Sequence, residues 1–340
     1  MINYICYIFD ENYMRHGAAS ILSLIDNNKD VELEIFALTI DISENDRKLV
    51  AGIGNEMQKV TVIDISGYKK DFDGIERSWS LGTYARLIIH KILPEYVNRV
   101  LYIDCDTLVL NPLKQLFDTD MRGNTIAAVI DKLLPKGVKA SIGIDDSKPY
   151  INAGVMLIDL KKWKDKKVGE RCIQFLKDNA EANNIPDQNA INYVLKDDVE
   201  LISLRYNVDG LMPYLPYKNA KKLFTQKVEG FYSVEDYEES RINPVIVHFI
   251  GFYLGKPWRY DNLHIYAKQY EEYAKQTPFG FKLEKKPVSG DAVSKIIRKT
   301  ARNLIAKSIQ SNNYRKFVRT YRLSEDILHF GSKIKKMIKK

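Results

Sequence analysis

The sequence predicts an α/β fold: a mostly parallel sheet covered by helices, built as one large domain with an appendage. Three observations predict it. Short β-rich runs alternate with helical patterns through the first half of the chain, an order that belongs to parallel sheets whose ligands bind at the carboxyl ends of the strands. The 340 residues exceed one typical domain but suit a single α/β domain of about 250 residues with an addition. Apolar residues at 45% and charged residues at 28% are the balance of a folded chain and exclude a disordered or membrane-spanning one.

The elements follow in order. Ile2 to Phe9 is an apolar run bounded by Asp10, and a helical pattern from about Gly17 to Ile25 follows. A strand over Val31 to Thr39, a helix opened by Ser43 as N-cap, a strand over Val60 to Ile65 and a helix from about Thr83 to Leu93 continue the alternation. Arg99 to Asp104 and Thr125 to Asp131 add two strands. Tyr150 to Leu160 reads as a strand, followed by an amphipathic helix to about Asn183 and a shorter one after Pro186. Val245 to Ile250 is a late strand, and Asn262 to Gln276 is Tyr-rich with helical spacing. The catalytic body is placed at residues 1–281, and no internal repeat is visible.

Residues 282–340 form a basic helical extension. They carry 17 Lys or Arg against four acids, whereas residues 1–281 carry 35 bases and 40 acids, a net of −5. The basic balance therefore belongs to the tail, and the body shows no overall charge that would favour a polyanion such as nucleic acid. The tail reads as two amphipathic helices. Val293, Ile296, Ile297, Leu304 and Ile305 recur at helical spacing in the first, with Lys295, Arg298, Lys299 and Arg302 available to its polar face. The second starts at Ser324 and buries Ile327, Phe330, Ile334 and Ile338.

Cys6, Cys105 and Cys172 are odd in number and widely spaced, with no CxxC pair for zinc or redox chemistry. This fits a reducing, cytoplasmic setting. The N-terminus has no basic leader and meets Asp10 early, and no uncharged apolar run approaches the length of a membrane span.

Four segments carry chemistry. The strand Leu101-Tyr102-Ile103 ends in Asp104-Cys105-Asp106. Side chains two residues apart on extended backbone point to the same side, so Asp104 and Asp106 can share one hard cation, although Asp-X-Asp is most often a surface turn. His248 closes an apolar strand and is followed by Gly251 and Gly255-Lys256-Pro257-Trp258. A histidine in that place is most often a core residue, but here the glycines permit close backbone approach to a ligand and Lys256 offers a charge for phosphate. Two carboxylates with one imidazole suit manganese, and magnesium is compatible with the same ligand types. In Tyr150-Ile151-Asn152-Ala153-Gly154-Val155 an amide and two small residues interrupt a β pattern, as at a β-bulge or a tight packing point. In Pro186-Asp187-Gln188-Asn189, Asp187 suits a helix N-cap, a role compatible with a functional one.

Taken in order, these segments resemble glycosyltransferase family 8, which includes bacterial lipopolysaccharide galactosyl- and glucosyltransferases and the glycogenins. The resemblance covers roughly residues 1–281. Asp10-Glu11-Asn12-Tyr13 after the opening strand looks like the family's nucleotide-binding start, and Thr83-Tyr84-Ala85-Arg86-Leu87 like its donor-binding helix. Asp104-Cys105-Asp106 resembles the metal motif, and Asn152-Ala153-Gly154-Val155 the sugar-binding strand. Asp187-Gln188 resembles the pair beside the reacting sugar, and His248 through Lys256-Pro257-Trp258 the metal and phosphate site. The loop from Lys132 to Lys148 shows no family pattern.

The resemblance implies a GT-A fold, a single Rossmann-like mixed sheet flanked by helices, and a retaining transfer of glucose or galactose from UDP-glucose or UDP-galactose with manganese. It implies that Ile8, Asp10, Asn12 and Tyr13 meet the nucleotide and that Asp104, Asp106 and His248 hold the metal. Gly251 and Lys256 would complete the diphosphate site and Cys105 would contact the donor, while Arg86, Asn152, Ala153 and Gly154, with the catalytic residues Asp131, Asp187 and Gln188, would orient the sugar. Gln188 is a neutral amide and a poor nucleophile, which favours a front-face reaction over a covalent intermediate. Acceptors compatible with this are a glycan, glycolipid or glycoprotein of the bacterial surface, and the basic tail suits peripheral attachment to an anionic inner membrane face. Two rivals stand beside this: a catalytically inactive protein of the same fold that binds a glycan or partner, and a nucleotidyltransferase, which would be expected to carry a Gly-rich basic loop after the first strand.

Overall fold

The structure is a computed structural model that describes residues 2–75, 80–179, 185–226, 228, 232–250, 254–260, 262–284 and 292–338, with side chains in the terminal helices described at 296 and within 299–327. Numbered along the chain, strands β1 (Asn3–Asp10), β2 (Leu33–Ile40), β3 (Gln58–Asp64), β4 (Arg99–Ile103), β6 (Ile126–Ile130), β7 (Ile151–Asp159) and β8 (Val199–Leu201) form one sheet in the order β3-β2-β1-β4-β7-β6-β8. β7 runs against both its neighbours, and the other pairs are parallel. A small second sheet joins β5 (Thr107–Val109), β10 (Ile246–His248) and β9 (Val208–Asp209) in that order.

Both faces of the large sheet are buried, as a covered parallel sheet requires. Along β1, Ile5, Tyr7 and Phe9 enter one apolar core while Cys6 and Ile8 enter the other. The strand period of two thus feeds both layers. A third cluster, with Leu108, Val247, Phe249, Trp258 and Tyr270, fixes the small sheet against the helix Ala267–Gln276. The three cysteines are buried and unbridged.

Helices α1 (Met14–Asp26) and α2 (Glu44–Ala51) stand near their expected places, and the Ser43 hydroxyl accepts from the Asp46 N–H as an N-cap. The helix expected over Thr83 to Leu93 is instead α3 (Leu81–Ala85), a 3₁₀ turn over Arg86–Ile88, and α4 (Ile89–Ile92). Arg86, Leu87 and Ile88 are all buried, so no solvent face imposes a regular α period there. The helix expected after β7 breaks into α5 (Leu160–Asp165) and α6 (Val168–Asp178) at Lys167, whose φ is 51°. The restart seats Gly169 against the Leu87 carbonyl, where a Cβ would lie 2.3 Å away. Then come α7 (Pro186–Leu195) and α8 (Ala267–Gln276).

The terminal helices are α9 (Ala292–Gln310) and α10 (Tyr314–Ile338), which pack on each other. The second begins ten residues before Ser324, because the Asn313 side chain caps it by accepting from the Lys316 N–H. Ser324 lies within the helix and bonds back to the Tyr321 carbonyl. Ala301, Ile305, Phe317 and Val318 join the main core. Arg302 is buried rather than on a polar face, while Ile296 and Ile327 are exposed rather than buried. The body displaces the amphipathic pattern here: the face that touches it is the one that docks. The side chains of Val293, Lys295, Ile297, Arg298, Phe330, Ile334 and Ile338 lie outside the described residues. Among the described residues no helix is long and apolar enough to cross a membrane.

Candidate active site

The site lies where the two sheets meet. β4 ends at Ile103 and β5 begins at Thr107, so Asp104-Cys105-Asp106 is the link between them. The link is held at each end. The Asp104 N–H donates to the Gly154 carbonyl at 2.8 Å, and the Asp106 carbonyl accepts from the Phe249 N–H at 2.8 Å. β10 pairs antiparallel with β5, and the His248–Thr107 pairing brings His248 beside the two acids. One ligand atom from each of Asp104, Asp106 and His248 lies within 4.8 Å of the others. Oxygen and imidazole donors at this spacing fit a hard or borderline divalent cation.

The surroundings orient these groups. His248 Nδ1 is 3.0 Å from Asn207 Oδ1, and the Asn207 amide donates to Asn152 Oδ1 at 2.8 Å. With its amide nitrogen turned to Asn152, Asn207 offers oxygen to the Nδ1 side of the ring and so aims Nε2 at Asp106, 3.1 Å away. Asp104 accepts from the Tyr102 hydroxyl at 2.6 Å and from Arg86 at 2.9 Å. Lys256 pairs with Asp106. Burial opposes the ionised Asp106 carboxylate, but the charges of Lys256 and His248 outweigh it and hold its pKa well below the usual range.

Gly154 makes room for the cluster. A Cβ on it would lie 2.2 Å from His248 Cε1 and 2.7 Å from Asp104 Oδ2. Both expectations for this segment hold: β7 is irregular where it passes β6, between the Ile130–Ile151 and Ala128–Met156 pairings, and the glycine is a tight packing point.

Arg86 connects the cluster to α7. Its guanidinium donates to Asp104, to the Ala153 carbonyl at 3.0 Å, and lies 3.0 Å from Asp187. Asp187 is not the N-cap of α7; Ile185 holds that place, Pro186 starts the helix, and Asp187 sits in its first turn. Gln188 accepts from the Ala153 N–H and donates to Asp131, both at 3.0 Å. Burial pushes the carboxyls of Asp187 and Asp131 upward, against the opposing pull of Arg86 on the first and of Gln188 and Lys132 on the second.

A cleft of about 380 Å³ brings together Arg86, Asp104, Asp106 and His248 on one side, and Asp131, Asn152, Gly154, Asp187 and Gln188 on the other. The opening strand's residues stand apart from its lining. Asp10 ends β1 and accepts from the Asn12 and Tyr13 N–H groups, shaping the turn into α1. Tyr13 lies edge-on to Trp258 at 6.4 Å. The Cys105 thiol is turned into the core and donates to the Ile8 carbonyl, so its side chain does not reach the cleft. Gly251 lies outside the described residues. Sequence reasoning missed Tyr102, Asn207 and the buried Lys132–Asp209 pair at 2.9 Å. It also missed Tyr321 and Glu325 of α10, which line the cleft. Only the Tyr102 position, two residues before Asp104 on the same strand, left a signal.

The sequence model of glycosyl transferase family 8 matches residues 4–262. The chain is 29% identical to General stress protein A of Bacillus subtilis over 79% of this chain and 91% of that protein. It is 25% identical to lipopolysaccharide 1,2-glucosyltransferase of Escherichia coli K12 over 81% and 78%. Among solved structures, the galactosyltransferase LgtC in complex with donor and acceptor sugar analogs superposes with a TM-score of 0.68 at 27% identity, covering 81% of this chain and 96% of that one. The fold is GT-A, as expected. Because the family match runs from the first strand, across the Asp104-Cys105-Asp106 link, to the turn behind Lys256, the chain belongs to glycosyl transferase family 8.

Proposed function

We propose that this glycosyltransferase uses a divalent cation, manganese in the first instance, to transfer glucose or galactose with retention from a UDP-hexose to a glycan, glycolipid or glycoprotein acceptor of the bacterial surface. One observation carries the reading: the Asp104, Asp106 and His248 cluster opens into the same cleft as Asp187 and Gln188. The relatives named for lipopolysaccharide glucosyl transfer, together with the donor-bound galactosyltransferase, support the hexose class.

Asp104, Asp106 and His248 would hold the cation, whose Lewis acidity lowers the cost of charge on the departing diphosphate. Lys256, leaving its pairing with Asp106, would turn its ammonium to the same phosphates. Arg86 keeps Asp104 and Asp187 in fixed relation, so donor phosphate and donor sugar are registered against each other. Gln188 has its oxygen engaged by the Ala153 N–H, which leaves no free nucleophile at that position. In the front-face step the acceptor oxygen bonds to C1 as the C1–O bond to the diphosphate breaks on the same face, and the acceptor proton passes to a diphosphate oxygen. The buried carboxyls of Asp187 and Asp131 stabilise the positive charge that develops on the sugar. The setting is the cytoplasmic face of the membrane, where the basic tail and the exposed Ile296 and Ile327 would meet anionic lipid.

The test is release of the nucleotide, UDP, GDP or CMP as the donor dictates, from a panel of UDP-, GDP- and CMP-sugars with and without manganese, against Asp106→Ala. Manganese-dependent turnover of one UDP-hexose, lost in the variant, supports the reading. No turnover and no binding of any UDP-sugar refutes it.

A further inference from the structure

Part of the cleft wall comes from outside the family match, which ends at residue 262. Tyr321 and Glu325 lie one helical turn apart on α10, hence on one face, and both line the cleft that holds Asp104 and Gln188. They are seated there by the body. Phe317 and Val318, one turn earlier, are buried in the main core. Arg322 donates to the Lys222 carbonyl. Lys136 pairs with Asp326 at 3.3 Å, tying α10 to the loop from Lys132 to Lys148, whose Leu133 and Pro135 also line the cleft.

We propose that Tyr321 and Glu325 form the acceptor-selecting wall of the site, so that the C-terminal helix reads the sugar that receives the hexose. The inference rests on the glycosyltransferase reading above. The donor's diphosphate and sugar are accounted for by the metal cluster and by Asp187, Gln188 and Asn152, which leaves the α10 side of the cleft for the second substrate. A carboxylate accepts hydrogen bonds from sugar hydroxyls, and an aromatic ring covers the apolar face of a pyranose. The carboxylates of Asp131, Asp187, Asp209 and Glu325 share this cleft with the two acids of the cluster, six in all, against the three cations Arg86, Lys132 and Lys256, the last two paired with Asp209 and Asp106. The charges of a bound UDP-hexose and of the divalent cation offset each other, so the excess of carboxylates stands and the acceptor sugar is uncharged rather than phosphorylated or uronic.

The test uses the full chain with its UDP-hexose and manganese, in solution without vesicles or detergent, so that loss of membrane docking cannot mimic the effect. The probes are methyl glucosides, methyl galactosides and lactose, each compared with methyl glucuronoside. The expected result is transfer to a neutral sugar with kcat/KM at least tenfold above that of the glucuronoside. Glu325→Gln and Tyr321→Ala should each raise the KM for that sugar about tenfold or more, the scale of one lost charge-assisted hydrogen bond or ring contact, with the donor KM within twofold. Leu323→Ser, an exposed change on the same helix, should alter neither. The proposal is overturned by an unchanged acceptor KM in Glu325→Gln, by donor and acceptor constants worsening together, by equal use of the glucuronoside, or by failure of every neutral sugar while UDP release continues. Absence of UDP release in the unaltered chain overturns the function reading itself, and this wall with it.

Discussion

Gly154 lies directly beneath His248, so close that a Cβ on it would stand 2.2 Å from the ring's Cε1. The residue is therefore required by space, and its neighbours cannot yield without moving the candidate metal cluster. Gly154→Ala is expected to leave a folded protein, since β7 is held to β4 from Val155 to Asp159 and to β6 at Ile151, but to push His248 from Asp104 and Asp106. Manganese affinity should fall at least tenfold, comparable to losing an orienting partner. Manganese titration followed by spectroscopy, with circular dichroism as the folding control, reads both; unchanged affinity would remove Gly154 from the site.

Arg86 is buried and contacts Asp104, Asp187 and the Ala153 carbonyl at once. Replacing it with Met leaves two carboxylates without their cation. A loss of about 3–5 kcal/mol is expected, the range for breaking a buried pair from one side. Denaturant unfolding measures it. Arg86→Lys should recover only part, because a point ammonium cannot span three acceptors.

Gln188 bonds to the β7 backbone and to Asp131 while standing in the cleft. Gln188→Ala should reduce kcat by about 100-fold or more, as for removal of a group that stabilises developing charge, with UDP affinity within twofold. Calorimetry with UDP and steady-state assays separate the two. Loss of UDP affinity would place Gln188 on the nucleotide rather than the sugar.

Asp131 has a carboxyl pKa raised in the fold by burial, against the opposing effects of Gln188 and Lys132. A raised pKa means that the folded state prefers the protonated form. The stability this group contributes is full below the unfolded value of about 3.9 and is lost as pH rises through the folded value. Asp131→Asn removes that dependence while keeping an acceptor for Gln188. The variant should be more stable than the original chain at pH 7, with the gap in Tm closing as the pH approaches 4, and less active. A gap that widens toward acid would reverse the assignment.

The order of strands and helices was legible because hydrophobic period and turn chemistry are local properties. The same locality explains the misses. β5, β8 and β9 are each two or three residues long, too short for a period to register, and they exist only because neighbouring strands supply their hydrogen bonds. The start of α10 was misplaced because Ser324 and Asn313 are both capping residues by type, and only the fold decides which one meets free N–H groups.

For the site, the sequence alone made the candidate ligands and the polar pair after Pro186 legible, because a pair of acids ending one apolar strand, a histidine closing another and their order along the chain are local features of the sequence. Tertiary structure decided how they are related. Asp104 and Asp106 meet His248 through the pairing of two three-residue strands, Asn207 reaches His248 from the bend before a third, and α10 returns from beyond residue 300 to complete the cleft wall. Each relation joins residues some 40 to 220 positions apart, and such contacts are set by the packing of the whole chain rather than by any window of it.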